Sequence, residues 1–401
     1  MKRGQVNTNE AKIDELLSRG VAEAIVKEKL KEKLMSGNQL RIKLGIDPTS
    51  PHIHIGRAVS LLKLRDFEEL GHKIVLIVGD FTGLIGDTSD KESERPMIEK
   101  KIIDQNKKSY FEQVGKIINI KKAELRYNSE WLSKLKYKDI GSHADVFSVS
   151  DFIARENIAK RLTSGSRVSL REILYPLMQG YDSVAVEADV EIGGTDQKFN
   201  LLAGRALQAK YGQTPQDILM SPIIQGLDGR KMSSSWGNTI NLTATPEDMY
   251  GKVMSMKDDS IIEYFMLCTR MQRSDVEEMS NALERGENPR DIKMKLAHEI
   301  VTLYHGEKQA QKAGQTFVDT FREGKIPENI PAVSDDDVPN ALVTLKIVPS
   351  KSELTRLMKA GGVRDAETGE KIFTFSVSRT KPTVIRIGKR HFIRLTPKKK
   401  Q

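Results

Sequence analysis

Two apolar runs and the periodic segment between them predict the centre of the fold. Residues 40–46 and 73–80 are rich in Ile, Val and Leu, as strands buried on both faces are. Between these runs, apolar side chains recur at helical spacing at Val59, Leu61, Leu62, Leu64 and Phe67. Two parallel strands joined by a helix form a right-handed βαβ unit. The pattern therefore predicts an α/β fold with a parallel sheet.

The same pattern divides the rest of the chain. It predicts one or two helices at 8–36, a helix at 97–118, a strand at 123–127, mainly helix at 130–182 and further helices from 245 to about 323. Prolines and aspartates predict a linker at 326–339. Beyond the linker it predicts helices at 341–348 and 353–360, the second capped by Ser350, and β segments at 372–377 and 383–387. We expect domains at 1–228, with a helical insertion at about 110–180, at 229–325 and at 340–401.

Positive charge is concentrated at the carboxyl end of the chain. The 401 residues carry a net charge of +9, and residues 340–401 alone hold 15 Lys/Arg against 4 Asp/Glu, a net of +11. The other 339 residues therefore carry −2. A basic terminal domain on a near-neutral body indicates nucleic-acid binding, with a merely solvated basic surface as the alternative.

Composition excludes several other classes. No apolar run reaches 18 residues and the amino terminus lacks an apolar core, so we expect no membrane span, no secretory signal and a cytoplasmic location. Cys268 is the single cysteine, and its position beside Leu267 predicts apolar packing rather than a nucleophile. The sequence holds no Cys/His cluster, so we expect no protein-bound metal.

Candidate chemistry lies at the end of the first predicted strand. Residues 44–57 run from that strand through an Asp47-Pro48-Thr49 turn into the predicted helix. In open parallel sheets, ligands bind at the carboxyl ends of the strands. Exposed N–H groups and the helix dipole favour a phosphate there. His54 can donate to such a phosphate, and Gly56 lets a flat ring lie against the backbone.

A glycine-rich segment after the second strand faces the same crevice. Residues 81–95 contain Asp87, which can receive an ammonium group, and Lys91 and Arg95, which can reach a phosphate. A solvated charged loop is the alternative for this segment. Residues 221–235 place small hydroxyl residues after Lys231, which suits a phosphate-gripping loop, although composition alone also fits a linker.

Two further patterns indicate a binding cleft. Tyr175, Gln179 and Asp182 are spaced i, i+4 and i+7, so they share one helix face, and their apolar neighbours indicate that this face borders a cleft. Residues 190–200 form a second strand–glycine–helix turn. In that turn Asp196 can take ribose hydroxyls and Gln197 lies at the crevice wall.

In this order the motifs resemble those of the class I aminoacyl-tRNA synthetases. The His-Ile-Gly-His and Lys-Met-Ser-Lys-Ser motifs of that class correspond to residues 54–57 and 231–235. Further stretches are similar to the tyrosine-specific members of its longer-chain bacterial branch, namely 44–49, 82–87, 175–182 and 193–197. The tail is similar to the RNA-binding domain named after ribosomal small-subunit protein four. The resemblance implies a Rossmann-like catalytic domain, an α-helical domain and a small α+β RNA-binding domain.

The resemblance implies a two-step reaction. The carboxylate of L-tyrosine attacks the α-phosphate of ATP, which gives tyrosyl-adenylate and pyrophosphate, and the 3′ end of the tyrosine tRNA then takes the tyrosyl group. The first step needs positioning and charge stabilisation rather than a side-chain nucleophile. Mg²⁺ should arrive with ATP. The family also implies a homodimer, with apolar residues of the 110–180 region as candidates for the interface.

The resemblance assigns roles to particular residues. Those expected in catalysis are His54, Arg57, Lys91, Arg95, Lys231 and Ser234. Those expected to contact ATP are Asp47, Thr49, His54, Gly56, Gly194, Asp196, Lys231, Met232 and Ser234. Those expected to bind tyrosine are Asp87, Tyr175, Gln179, Asp182 and Gln197, with Asp182 at the phenolic hydroxyl. Those expected to contact tRNA are Lys351, Arg356 and Lys359.

Three positions depart from the family pattern. Arg57 replaces the second motif histidine, and Ser234 replaces the second loop lysine, for which a bound monovalent cation is a hypothetical substitute. Lys43 stands where the shorter-chain branch has a tyrosine that contacts the substrate hydroxyl, so Asp182 pairs with Lys43 or uses another donor. Two alternatives stay open, a tryptophan-specific relative and a non-catalytic RNA-binding paralogue in which Arg57 and Ser234 mark decay.

Overall fold

The computed structural model describes residues 6–87, 97–322, 330–334, 337–345, 347–375, 382–388 and 391–396. At residues 321 and 322 it describes the backbone only. Contacts divide the chain into two units, Met1–Glu307 and Lys308–Gln401. The first unit contains the predicted βαβ core, and the second contains the predicted basic domain.

A six-stranded sheet forms the centre of the first unit. Its strands are β1 (Glu23–Ile25), β2 (Arg41–Ile46), β3 (Lys73–Val78), β4 (Glu124–Tyr127), β5 (Val190–Gly194) and β6 (Asp217–Ser221). They lie in the order β1-β6-β5-β2-β3-β4. Neighbours are parallel except β1, which pairs antiparallel with β6. The chain runs from β2 through β3 to β4 on one side of the sheet, and from β5 to β6 on the other side. The switch point of this α/β sheet therefore lies between β2 and β5.

Helices cover and extend this sheet. In chain order they are α1 (Glu10–Ser18), α2 (Lys27–Met35), α3 (Ile55–Glu69), α4 (Thr82–Ile85), α5 (Lys100–Asn106), α6 (Tyr110–Val114), α7 (Ser129–Leu132), α8 (Tyr137–Ala144), α9 (Val149–Ile153), α10 (Glu156–Thr163), α11 (Leu170–Ala185), α12 (Lys198–Lys210), α13 (Pro246–Met254), α14 (Ile261–Cys268), α15 (Arg273–Glu284) and α16 (Pro289–His305). Throughout the described chain, no helix is long and apolar enough to cross a membrane.

The predicted βαβ unit is confirmed as β2–α3–β3. His54 is the N-cap of α3, and its side chain accepts from the backbone N–H of Arg57. The apolar face of α3 is buried with the strands, and Phe67 and Ile77 are both 0% exposed. The His54 cap and the buried apolar face together define the start of α3. They therefore also fix the position of the turn between β2 and α3.

Two predicted helical stretches are interrupted. The stretch 8–36 contains β1, because Glu23–Ile25 pairs with β6 and the backbone of Val26 turns at a φ of 62° before α2. The stretch 97–118 is split into α5 and α6 by a 3₁₀ turn at Lys107–Ser109. There the Lys107 ammonium forms ion pairs with Asp104 on α5 and with Asp80 after β3. Tertiary pairing overrides the helical periodicity in both places.

The second unit contains a four-stranded sheet and short helices. Its elements are α17 (Glu307–Arg322), β7 (Ala332–Ser334), α18 (Val338–Thr344), α19 (Lys351–Lys359), β8 (Val363–Asp365), β9 (Thr383–Ile387) and β10 (His391–Thr396). The strand order is β7-β10-β9-β8. The core includes Val338, Leu342, Leu354, Val363, Ile385, Ile393 and Leu395. Ser350 caps α19 as predicted, with its hydroxyl 3.2 Å from the Glu353 N–H.

Three local predictions for this unit need correction. Residues 332–334, expected within the linker, form β7 and pair in parallel with β10. The helix expected at 341–348 begins at Val338, because Asp337 caps it and Pro339 fits its first turn. Of the β segment expected at 372–377, the described residues 372–375 are not in a strand, and Lys371 makes an isolated bridge to Arg364.

Candidate active site

A cavity of about 280 Å³ opens at the carboxyl ends of β2 and β5. It collects expected residues from five separate segments, namely Asp47, Thr49, His54, Gly56, Arg57, Asp87, Tyr175, Gln179, Asp182, Gly194, Asp196, Gln197, Lys231, Met232 and Ser234. Lys91 and Arg95 lie outside the described residues. The cavity therefore forms at the switch point of the sheet, where ligands of open α/β sheets bind.

His54 supplies a neutral donor at the amino end of α3. Burial, and then the charges of Arg57 and Lys231, lower the pKa of His54 to about 3. Its Nδ1 accepts the Arg57 N–H at 3.4 Å, so the proton of the neutral ring is on Nε2. A Cβ at Gly56 would lie 3.0 Å from that Nδ1 and 3.2 Å from the Met232 sulfur. Gly56 thus lets the histidine and the loop carrying Met232 approach each other.

Asp47, at the end of β2, is hydrogen-bonded to several neighbouring side chains. Its carboxylate accepts from Thr82 Oγ1 at 2.7 Å and from Tyr175 Oη at 2.8 Å. Burial raises the pKa of Asp47 to about 6, against the opposing effect of these two hydrogen bonds. The Arg57 guanidinium donates to the Asp47 carbonyl at 3.2 Å. Asp47, expected to contact ATP, therefore also holds Tyr175 and Arg57 in place.

Asp182 lies at the buried end of the cavity and is 3% exposed. Trp131 Nε1 donates to one carboxylate oxygen at 2.7 Å, and Asn128 Nδ2 donates to the other at 3.2 Å. Burial raises the pKa of Asp182 to about 7, while the nearby Lys43 and these two donors lower it. Of the two expectations for Asp182, the ion pair with Lys43 is wrong, because Lys43 pairs with Glu191 at 2.8 Å.

Sequence reasoning missed the donors to Asp182. Asn128 directly follows β4, and Trp131 lies one turn later on α7. Asn128 also donates to Thr82 Oγ1 at 2.8 Å, which connects the Asp182 and Asp47 networks. The rule that ligand sites follow the ends of parallel strands, applied to β4, would have found both residues.

Side-chain amides connect the next part of the wall. Gln179 Nε2 donates to Glu191 Oε1 at 3.2 Å. Asn200 Nδ2 donates to the amide oxygens of Gln179 and Gln197 at 3.1 and 3.0 Å. Gln197 Nε2 in turn donates to Asp87 Oδ2 at 2.7 Å. Three of the five expected tyrosine-binding residues, Gln179, Gln197 and Asp87, therefore belong to one hydrogen-bonded chain that begins at the buried carboxylate of Glu191.

The loop of residues 224–238 closes the other side of the cavity. Lys231 forms an ion pair with Asp196 at 2.9 Å, and their side chains are 26% and 20% exposed. Asn238 accepts from the Ser233 N–H at 2.9 Å and donates to the Lys231 carbonyl at 3.0 Å. Ser234 begins a 3₁₀ turn, Ser234–Trp236. Asn238, which the sequence did not single out, thus fixes the backbone around the candidate phosphate residues.

The second unit presents the expected RNA contacts on one helix. Lys351, Arg356 and Lys359 all lie on α19 and are exposed. Arg356 donates to Glu353 on the same helix at 2.9 and 2.7 Å. Two of the three expected cations are at the ends of the helix, and the basic tail at 397–401 lies outside the described residues.

The described part of the chain contains no group of three or more His, Cys, Asp and Glu side chains that could hold a metal ion. The positively charged groups that line the cavity are the side chains of Arg57 and Lys231. With a neutral histidine beside them, they suit an anionic ligand of several negative charges, such as a nucleoside triphosphate.

The fold and this cavity define an aminoacyl-tRNA synthetase of class I. A family model described as "tRNA synthetases class I (W and Y)" matches residues 35–322, and the chain belongs to this family. A curated tyrosine–tRNA ligase of Thermotoga maritima is 44% identical over 387 residues, which cover 95% of this chain and 96% of the relative. A tyrosine–tRNA ligase of Carboxydothermus hydrogenoformans is 43% identical over 397 residues, 95% of this chain and 97% of the relative.

Solved structures support the same fold. The tyrosyl-tRNA synthetase of Archaeoglobus fulgidus, solved with L-tyrosine, matches with a TM-score of 0.61 and 21% identity over 76% of this chain and all of that chain. A truncated mitochondrial tyrosyl-tRNA synthetase of Aspergillus nidulans matches with a TM-score of 0.65 and 20% identity over 80% of this chain and 95% of that chain. At these identities the structures show the fold alone.

Proposed function

We propose that this chain is a tyrosine–tRNA ligase that activates L-tyrosine with ATP and transfers it to the 3′ end of the tyrosine tRNA. The proposal rests on the similarity to tyrosine–tRNA ligases, such as the relative that is 44% identical over 95% of this chain. It also rests on the buried carboxylate of Asp182 at the end of the cavity. A carboxylate held by two neutral donors suits a phenolic hydroxyl, whereas an indole ring has no hydroxyl to donate to it.

Tyrosine occupies the end of the cavity next to α11. Its hydroxyl donates to Asp182, and its ammonium group is received by Asp87, Gln179 and the Tyr175 oxygen. The Tyr175 proton already points to Asp47 at 2.8 Å, so the phenolic oxygen of Tyr175 is an acceptor for a cation. Gln197 holds Asp87 for this contact. The substrate carboxylate then lies toward His54 and the opening of the cavity.

ATP occupies the end formed by the two turns and the loop. Its adenine lies against Gly56 and Gly194, its ribose is held by Asp196, and Asp47, Thr49, Met232 and Ser234 complete the contacts. The Lys231–Asp196 ion pair separates as Asp196 bonds the ribose and Lys231 moves to the phosphates. The pair is partly exposed, so this exchange costs little.

Activation is an in-line displacement. A tyrosine carboxylate oxygen forms a bond to the α-phosphorus, the bond from that phosphorus to the bridging oxygen breaks, and pyrophosphate leaves with its Mg²⁺. His54 Nε2–H, Arg57 and Lys231 stabilise the negative charge that grows on the phosphates. By resemblance, Lys91 and Arg95 contact the pyrophosphate. A ribose hydroxyl of the tRNA then attacks the carbonyl carbon and AMP leaves.

The remaining assignments complete the proposal. Lys351, Arg356 and Lys359 contact tRNA phosphates, and the basic domain at 340–401 docks the tRNA. The chain acts as a cytoplasmic homodimer. Exposed apolar side chains in the helical insertion are candidates for the dimer interface, among them Val149, Leu162 and Leu170, which are 75%, 47% and 80% exposed. The domain division at 228 and 325 stays a proposal.

The test is tyrosine-dependent exchange of pyrophosphate into ATP. The unaltered chain should show exchange with tyrosine, and Lys231→Ala and Asp182→Ala should each reduce it strongly. Exchange with tryptophan alone would overturn the proposal, and no exchange in folded protein would favour a non-catalytic paralogue. Equal rates in potassium and sodium would end the hypothesis that a bound monovalent cation substitutes for the loop lysine that Ser234 replaces.

A further inference from the structure

A buried ion pair lies beneath the amino-acid end of the cavity. Lys43 on β2 and Glu191 on β5 are 0% and 1% exposed, and Nζ lies 2.8 Å from Oε1. The two residues are direct neighbours across the β2–β5 pairing. Burying two charges is costly unless their geometry and hydrogen bonding are good. The proposed reaction steps do not use this pair, so its presence needs another reason.

Both members of the pair bond to α11 at the same place. Lys43 Nζ donates to the Gln179 carbonyl at 3.0 Å and to Ser183 Oγ at 2.7 Å. Glu191 accepts from Gln179 Nε2 at 3.2 Å and from Ser183 Oγ at 3.0 Å. Gln216 also donates to Glu191. One ion pair therefore holds the main chain and the side-chain amide of Gln179.

This contact decides which way the Gln179 amide faces. An ionised carboxylate only accepts hydrogen bonds, so the atom of Gln179 nearest Glu191 is the NH₂ nitrogen. The amide oxygen is then on the other side, where Asn200 Nδ2 donates to it at 3.1 Å. A carbonyl oxygen accepts two hydrogen bonds, which leaves one acceptor position. A reversed amide would present N–H groups, which repel a cation.

We propose that Lys43 and Glu191 form a positioning pair that orients the Gln179 amide so that its oxygen receives the ammonium group of tyrosine. The inference rests on the proposed function, because it names the substrate group that this wall reads. The pair touches no substrate atom. It determines selectivity for an amino acid over the same acid without an amino group.

The experiment compares two ligands that differ in that group. Binding of L-tyrosine and of 3-(4-hydroxyphenyl)propanoate, which lacks the ammonium group, is measured by calorimetry on the full chain. The variants are Glu191→Gln, which keeps the shape but lets the amide reverse, and the apolar double variant Lys43→Met/Glu191→Leu. Each should weaken tyrosine binding by about tenfold or more, the size of a lost charge-assisted hydrogen bond. Affinity for the propanoate should fall much less, because this ligand has no ammonium group to contact the Gln179 oxygen.

A matched control removes another buried ion pair that contacts the same helix. Arg161 on α10 is paired with Glu172 near the start of α11, their side chains are 3% and 0% exposed, and neither lines the cavity. Arg161→Met/Glu172→Leu should leave the ratio of the two affinities unchanged, because neither residue lines the cavity. In a Gln179→Leu background, Glu191→Gln should add no further loss that is selective for tyrosine, because the amide it orients is gone.

The outcomes separate this inference from the proposed function. Equal losses for both ligands in Glu191→Gln would overturn the positioning role and leave a structural one. A selective loss that persists in full in the Gln179→Leu background would also overturn it. If the unaltered chain binds neither ligand, the proposed function fails and the inference fails with it.

Discussion

The two ends of the cavity are built differently. At the amino-acid end, Asp182 and Gln179 are bonded to side chains on β5, on α7 and directly after β4 that are themselves buried. At the nucleotide end, the main charged contact is the Lys231–Asp196 ion pair, which is partly exposed and joins a loop to a turn. The difference suits the two proposed tasks. Rejecting a near-identical amino acid needs fixed, desolvated polar groups, whereas transferring a phosphoryl group needs charges that change partners.

The largest effect should come from removing the fixed acceptor. A site built around a substrate hydroxyl prefers it on the order of 10⁴–10⁵ over the analogue without it, and Asp182→Ala should reduce this preference to roughly 10 or less. The measurement is kcat/KM in pyrophosphate exchange with tyrosine and with phenylalanine. The KM for ATP is the control and should stay the same. A variant that still rejects phenylalanine would show that another group reads the hydroxyl.

The next effect tests the nucleotide end. His54→Asn keeps an N-cap acceptor for α3 but removes the N–H aimed at the phosphates, and kcat should fall about 10²–10³-fold, as for the loss of one oxyanion donor. Tyrosine affinity, measured by calorimetry, should be unchanged. If tyrosine binding falls as much as kcat, the two ends are not independent and the comparison fails.

A smaller effect tests the donors behind Asp182. Trp131→Phe keeps the aromatic ring that Arg126 covers at 5.1 Å but removes the Nε1–H bonded to Asp182. A hydrogen bond to a charged group contributes about 1.5–3 kcal/mol, so kcat/KM for tyrosine should fall about 10- to 100-fold. The same variant should leave kcat at saturating tyrosine nearly unchanged. A loss confined to kcat would argue against a role in binding.

The last effect is a pH dependence of stability. The pKa of Asp182 is raised from 3.8 to about 7, chiefly by burial, so between these values the folded chain keeps a proton that the unfolded chain has released. The free energy of unfolding therefore falls as the pH rises through this window. Asp182→Asn lacks this titration, so its advantage in unfolding temperature should grow from about pH 4 to pH 7 and then level off.

Comparing Asp182→Asn with the unaltered chain removes the contributions that other titratable groups make to the pH dependence. Asp47, with a pKa of about 6, changes stability in the same direction but is present in both. A difference between Asp182→Asn and the unaltered chain that is constant from pH 4 to 7 would mean that Asp182 is ionised throughout. The amino-acid end would then resemble the more solvated nucleotide end.

Much of the fold and of the cavity follows from local sequence. The β2–α3–β3 unit follows from apolar periodicity, and the shared face of Tyr175, Gln179 and Asp182 follows from helical spacing on α11. Predictions fail where pairing with a distant segment decides the local state. Glu23–Ile25 is a strand because β6 lies beside it, and Ala332–Ser334 is a strand because β10 does.

The family, the switch-point location of the cavity and many of the residues that line it follow from motifs and periodicity within short stretches. The partners of the buried polar groups depend instead on which strands and helices lie side by side. Lys43 pairs with Glu191 and not with Asp182 because β2 lies next to β5, and Asp182 is left to Trp131 and Asn128 beyond β4. A buried charge takes whichever partner the sheet order places within hydrogen-bond distance, and no local pattern encodes that choice.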